Sequence, residues 1–106
     1  MAIRKLGVLI ALSALQATWL AHAEEADWRT MCSSASKFAE TVMVERQNGR
    51  SMAELIEAAE GNDLLETIII SAYEVPRFGV ESNKQQSVED FRNKVYLQCA
   101  KVHKPN

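Results

Sequence analysis

Glu54, Glu57 and Glu60 recur at steps of three in one short stretch. Paired carboxylates can do acid–base work on a glycan, and these three are the best candidates the chain offers for it. The same spacing on the second of the helices read below also describes a solvated acidic edge, which a helix N-terminus favours, and that is the preferred reading. The other chemistry-bearing residues stand apart. Ser33, Ser34 and Ser36 share the first helix with no partner base, and His103 lies three residues from the C-terminus, where chains fray. The only other histidine, His22, falls in a stretch read below as a signal peptide, which leaves no second one for a metal site, and Gly49, Gly61 and Gly79 are too isolated for a phosphate loop. With no nucleophile, base or ligand cluster, the chain reads as a non-enzyme that needs no cofactor or metal.

Two cysteines carry the one reaction the sequence does favour. Cys32 and Cys99 are the only pair, and the residues before them place them in an oxidising compartment. Arg4 and Lys5 precede an apolar run from Leu6 to Leu20, and Ala21-His22-Ala23 is a small-x-small cleavage site. This is the pattern of a secretory signal peptide over 1–23, cut after Ala23; the run is too short for a comfortable membrane span. A single domain over 24–106 follows, in the periplasm or secreted. Exported cysteines tend to pair, and closing so long a loop stabilises by about 4 kcal/mol in the chain-entropy model. A redox or metal role lacks the Cys-x-x-Cys spacing.

Loss of Arg4 and Lys5 leaves 10 basic residues against 14 acidic ones, a formal charge of −4. The basic residues are interleaved with acids throughout, which argues against nucleic acid. The charges belong to solvated helical faces.

Apolar spacing then gives four helices. Trp28, Met31, Cys32, Ala35, Phe38, Ala39, Val42 and Met43 recur at steps of three and four, and Asn48-Gly49 supplies a left-handed stop, so the first helix spans about 27–48. Ser51-Met52-Ala53-Glu54 fits a capping box for the second, with Met52, Leu55, Ile56 and Ala59 as its face, ended by Gly61-Asn62. The third starts at Asp63 to Glu66 and is apolar nearly all round, which makes it the expected centre of the core; Ile68-Ile69-Ile70 would also suit a strand, but the acidic start and Ala72 favour helix. Pro76 ends it near Glu74. Glu81 to Gln86 reads as a polar turn, and the last helix begins at Ser87 or the earlier Ser82, with Val88, Phe91, Val95, Cys99 and Val102 as its stripe. Cysteines on core-facing stripes of the first and last helices can meet only if those helices pack side by side. The expected fold is all-α: a small four-helix bundle stapled by one disulfide between its first and last helices.

Several of these residues form a wider pattern. Cys32, Arg46-Gln47-x-Gly49, Ala72-Tyr73-Glu74-x-Pro76-Arg77-Phe78 and Phe91-Arg92-Asn93 with Tyr96 and Cys99 resemble a group of small exported proteins encoded in proteobacterial genomes and prophages, mostly described as hypothetical. The resemblance implies a Gram-negative periplasmic or secreted protein and supplies no activity. In size and layout the chain is also similar to periplasmic acid-stress chaperones.

Binding is what remains. Tyr73, Pro76, Arg77 and Phe78 form a corner rich in the residue types that dominate interfaces, and alternate loops of an up-and-down bundle share an end, which would bring Arg46, Gln47 and Arg50 beside it. The opposing expectation, which we favour at this stage, folds Tyr73 and Phe78 onto the core while Arg77 caps the last carbonyls of the third helix. The leading functional expectation is an interaction module of inhibitor or immunity type whose partner is another exported protein. The alternatives are an acid-stress chaperone and a hydrolase using the glutamates.

Overall fold

A computed structural model of the protein describes residues 27–106. The expected signal peptide over 1–23 and the expected cut after Ala23 lie outside the described residues. Within them the chain forms four helices and no strand: α1 over 27–47, α2 over Met52–Ala58, α3 over Asp63–Tyr73 and α4 over Glu81–His103. Ile68 to Ile70 sit inside α3, so the helical assignment prevails over the strand.

The Cys32–Cys99 disulfide joins α1 to α4, with the two Cα atoms 5.5 Å apart. Eight residues further along α1, Glu40 pairs with Arg92 of α4 at 3.4 Å. The partner residues run backward along α4 as they run forward along α1, so the two helices are antiparallel. The half-exposed ion pair contributes little; the disulfide and the apolar seam hold the helices together. The fold is the stapled all-α bundle that the cysteine positions imply, and no described helix is long and apolar enough to cross a membrane.

The centre of the core is not where the sequence placed it. Of the buried apolar side chains, Cys32, Ala35, Ala39, Val42 and Met43 come from α1, whereas α3 contributes Ile68, Ile69 and Ala72 and leaves Leu64 54% and Ile70 49% exposed. Ile70 lies on the side of α3 turned away from Ile68, Ile69 and Ala72, and length limits what α3 itself can cover. At 1.5 Å per residue, α1 and α4 run about 30 Å while the 11 residues of α3 reach about 16 Å. So short a helix covers only half of the α1–α4 pair and meets neighbours on one side alone. Val102, near the far end of α4, is 75% exposed for the same reason.

The helix starts also depart from expectation. Ser51 stands at the N-cap of α2 without a side-chain capping bond, and Glu54, the other half of the expected capping box, pairs with Arg50 at 3.4 Å. The acidic edge is shorter than its spacing implied: α2 ends at Ala58, and Glu60 follows with a φ of 51°. The N-cap of α3 is Asn62, whose Oδ1 accepts from the Leu65 N–H at 3.1 Å. Residues 81–86 are helical rather than a turn, so neither Ser82 nor Ser87 starts α4. Its N-cap is Val80, whose carbonyl accepts from Lys84 N–H at 3.0 Å, with Glu81 in the first turn. The Ser87 hydroxyl, buried within the helix, bonds back to Lys84 O at 2.7 Å.

Candidate interaction site

The site begins with how α1 stops. A helix leaves its last carbonyls without intrahelical partners. Here Gly49, with a φ of 88°, takes the left-handed conformation that suits glycine. Its N–H then bonds Arg46 O at 3.1 Å, and Arg50 N–H bonds Glu45 O at 3.0 Å, the paired bonds of a Schellman turn. The carbonyl of Gln47 receives neither of them. Arg77 supplies its partner: the Arg77 Nε–H donates to Gln47 O at 3.1 Å. Its guanidinium lies across the glycine, 2.9 Å from where a Cβ at position 49 would stand.

The corner after α3 has the complementary problem. Val75 O and Pro76 O point away from the helix, and the proline has no N–H. Arg46 Nε–H donates to Val75 O at 3.2 Å. The carboxamide of Gln47, a side chain only 2% exposed, serves both flanks of Arg77. Its Nε2 donates to Pro76 O at 2.9 Å and its Oε1 accepts from Phe78 N–H at 2.8 Å. Tyr73 completes the set. Its hydroxyl donates to Arg50 O, and its ring lies 5.0 Å from the Arg46 guanidinium. Burial pushes the Tyr73 phenol above its ordinary range. Arg50 bonds Glu45 at 2.6 Å and Glu54 at 3.4 Å, and the bond to Glu45 is the main reason its guanidinium holds its proton more tightly than usual.

The loops after α1 and α3 therefore share one end, and the seven candidate residues gather there as a clasp. Tyr73 and Phe78 are half-buried, in keeping with the inward-folding expectation. The cap assignment is a correction: Arg77 closes α1, not α3, and Arg46 of α1 reaches the backbone just beyond α3. Arg77 thus caps the last carbonyl of α1, while Arg46, within α1, ties down the corner that follows α3. Pro76, Arg77 and Arg50 remain exposed at the tip.

Sequence reasoning named Gln47 only as a flanking residue and missed that it holds the clasp together. A signal was present. Gln47 stands four residues after Met43 and so continues the buried stripe of α1, and its Nε2 contacts Met43 Sδ at 3.5 Å. A polar residue on a core stripe must find buried partners, and here it finds two backbone groups.

Away from the clasp lies a groove that spacing gave no reason to expect. A hollow of about 210 Å³ runs along α3 from Leu64 to Ser71, between it and the facing stretches of α1 and α4. Ala35, Ile68, Phe91 and Val95 form its floor, and Met31, Leu64 and Val102 its exposed rim. Phe91 and Lys94 also line a shallower hollow of about 380 Å³ toward Phe78 and Asn83.

The glutamates do not assemble. Glu54, Glu57 and Glu60 are all exposed, and Glu54 is engaged with Arg50. Among the described residues no group of three or more His, Cys, Asp or Glu side chains could hold a metal ion. What the fold defines is a class, a small helical bundle closed by one disulfide. No protein-family model matches the chain, and no curated protein or solved structure matches it either.

Proposed function

We propose that the chain is an exported interaction module of inhibitor or immunity type, docking on another exported protein through the clasp. One observation carries the proposal. The exposed Arg77 is anchored at its Nε by Gln47 O, beside exposed Pro76 and Arg50 on two loops that hydrogen bonds tie together. A surface ordered before it meets its partner loses less freedom on association, and arginine is among the side chains that most often dominate binding energy. The disulfide is compatible with an oxidising, extracytoplasmic location, and the resemblance to small exported proteobacterial and prophage proteins supports the same setting.

The test is capture of a periplasmic partner by the wild-type protein, followed by direct titration of that partner against Arg77→Glu and Leu64→Glu. The clasp reading expects the first variant to lose at least tenfold in affinity and the second to keep it. Loss with Leu64→Glu alone would move docking to the groove. No specific partner for any variant would remove the interaction reading altogether.

A further inference from the structure

We propose that the groove between α1, α3 and α4 is a binding site for a free single-chain acyl carboxylate, a site separate from the clasp and independent of the proposed docking role. The first support is shape and lining. The floor of Ala35, Ile68, Phe91 and Val95 is wholly hydrocarbon and mostly buried, so a ligand there must be apolar. At about 210 Å³ the hollow is too small to admit a helix, whose diameter with side chains is about 10 Å, yet larger than the roughly 150 Å³ that accommodates a benzene ring. A slender alkyl chain is the apolar object that fits.

The second support is charge. The ionisable side chains that line the groove are Lys94 and His103, and no carboxylate joins them, in a chain whose acidic residues outnumber its Lys and Arg 14 to 12. Neither of the two makes an ion pair among the described residues. The nearest acid along α4 on that side, Asp90, lies in the adjoining hollow and accepts from Gln86 Nε2 at 2.9 Å. An apolar trough with the unpaired Lys94 ammonium at its edge is complementary to an anionic head on an alkyl tail. A second copy of the chain would bring another Lys94 to the trough in place of an anion, and that like charge disfavours it as the occupant.

The experiment titrates the oxidised protein by calorimetry with dodecanoate below its critical micelle concentration, alongside decanoate, dodecanol and dodecyltrimethylammonium. Melting curves establish that each variant is folded. Dodecanoate is expected to saturate at one per chain and to bind about fifteen-fold more tightly than decanoate, since each buried methylene contributes about fourfold. The Lys94→Gln variant should weaken dodecanoate about tenfold while leaving dodecanol unchanged. Leu64→Glu, at the exposed rim, should weaken both. Equal affinity for the carboxylate, the alcohol and the cation would overturn the proposal, as would indifference to Lys94→Gln or the absence of saturable binding. Association with anionic vesicles but not with the free acid would replace it with a membrane-surface role. Dimerisation that Leu64→Glu abolishes, without dodecanoate binding, would give the groove to a second copy.

Discussion

At the clasp end of the bundle, four side chains and several backbone carbonyls are joined by hydrogen bonds; at the other end a single covalent bond ties α1 to α4 beside an open trough. The difference follows from what each end has to satisfy. Two loops converge at the clasp, and loops bring carbonyls and N–H groups that no helix can pair, so polar side chains are needed there. The trough itself is walled by helix sides, whose backbone is paired within each helix. Its deficit is apolar cover, because α3 is about half the length of its neighbours, and the disulfide holds α1 and α4 together without covering them.

The contrast can be broken experimentally from either side. Replacing both cysteines, Cys32→Ala with Cys99→Ala, should have the largest effect, about 4 kcal/mol of unfolding free energy by urea denaturation. A loss below about 1 kcal/mol would mean that the apolar α1–α4 seam suffices at that end. Next comes Gln47→Leu, similar in volume but unable to pair with Pro76 O or Phe78 N–H. Two stranded backbone groups should cost about 3 kcal/mol in the same assay. Gly49→Ala should cost about 1–2 kcal/mol, since a non-glycine residue is strained at this φ. The new methyl would also press on the Arg77 guanidinium, so a double-mutant cycle with Arg77→Ala should show coupling of at least about 0.5 kcal/mol. Additive losses would show that Arg77 does not pack on the glycine.

The smallest effect is the most diagnostic of the clasp's chemistry. Tyr73→Phe removes the bond to Arg50 O and should cost about 1 kcal/mol at neutral pH. The phenol's pKa is raised in the folded protein, mainly by burial, so its contribution is complete below its ordinary value of about 10 and is lost as pH rises through the folded-state value. The wild-type advantage over Tyr73→Phe should therefore shrink above about pH 10, and a constant gap would mean that the hydroxyl is not involved.

Much of the fold could be read in advance because its signals are local. Steps of three and four gave the helices, Asn48-Gly49 gave the stop of α1, and Cys32 and Cys99 on two apolar stripes gave the staple. That the loops after α1 and α3 meet followed from bundle topology. That Arg77 reaches the last carbonyl of α1 and Arg46 the corner beyond α3 did not, since both arginines stand near helix ends and only the three-dimensional offset of the loops decides which carbonyl each one reaches. The trough was hidden for a different reason. Leu64, Ile70 and Val102 look like core in any periodic reading; Ile70 faces away from Ile68, Ile69 and Ala72, Leu64 stands in the first turn of α3 at the trough's rim, and Val102 stays bare because a helix of 11 residues cannot cover one twice its length. The start of α4 was misplaced because Ser82 and Ser87 offered familiar caps while Val80 offers none.

None of the seven residues of α2 is fully buried, Leu55 and Ile56 being only partly covered against the core, and the N-cap lacks a side-chain bond. Such an element can detach and re-dock while the remainder keeps its shape, so its amides should exchange with solvent well before those of α1. A protease that severs the chain there would not divide the molecule, for the sulfur bridge would still join the two pieces, each carrying one half of the clasp.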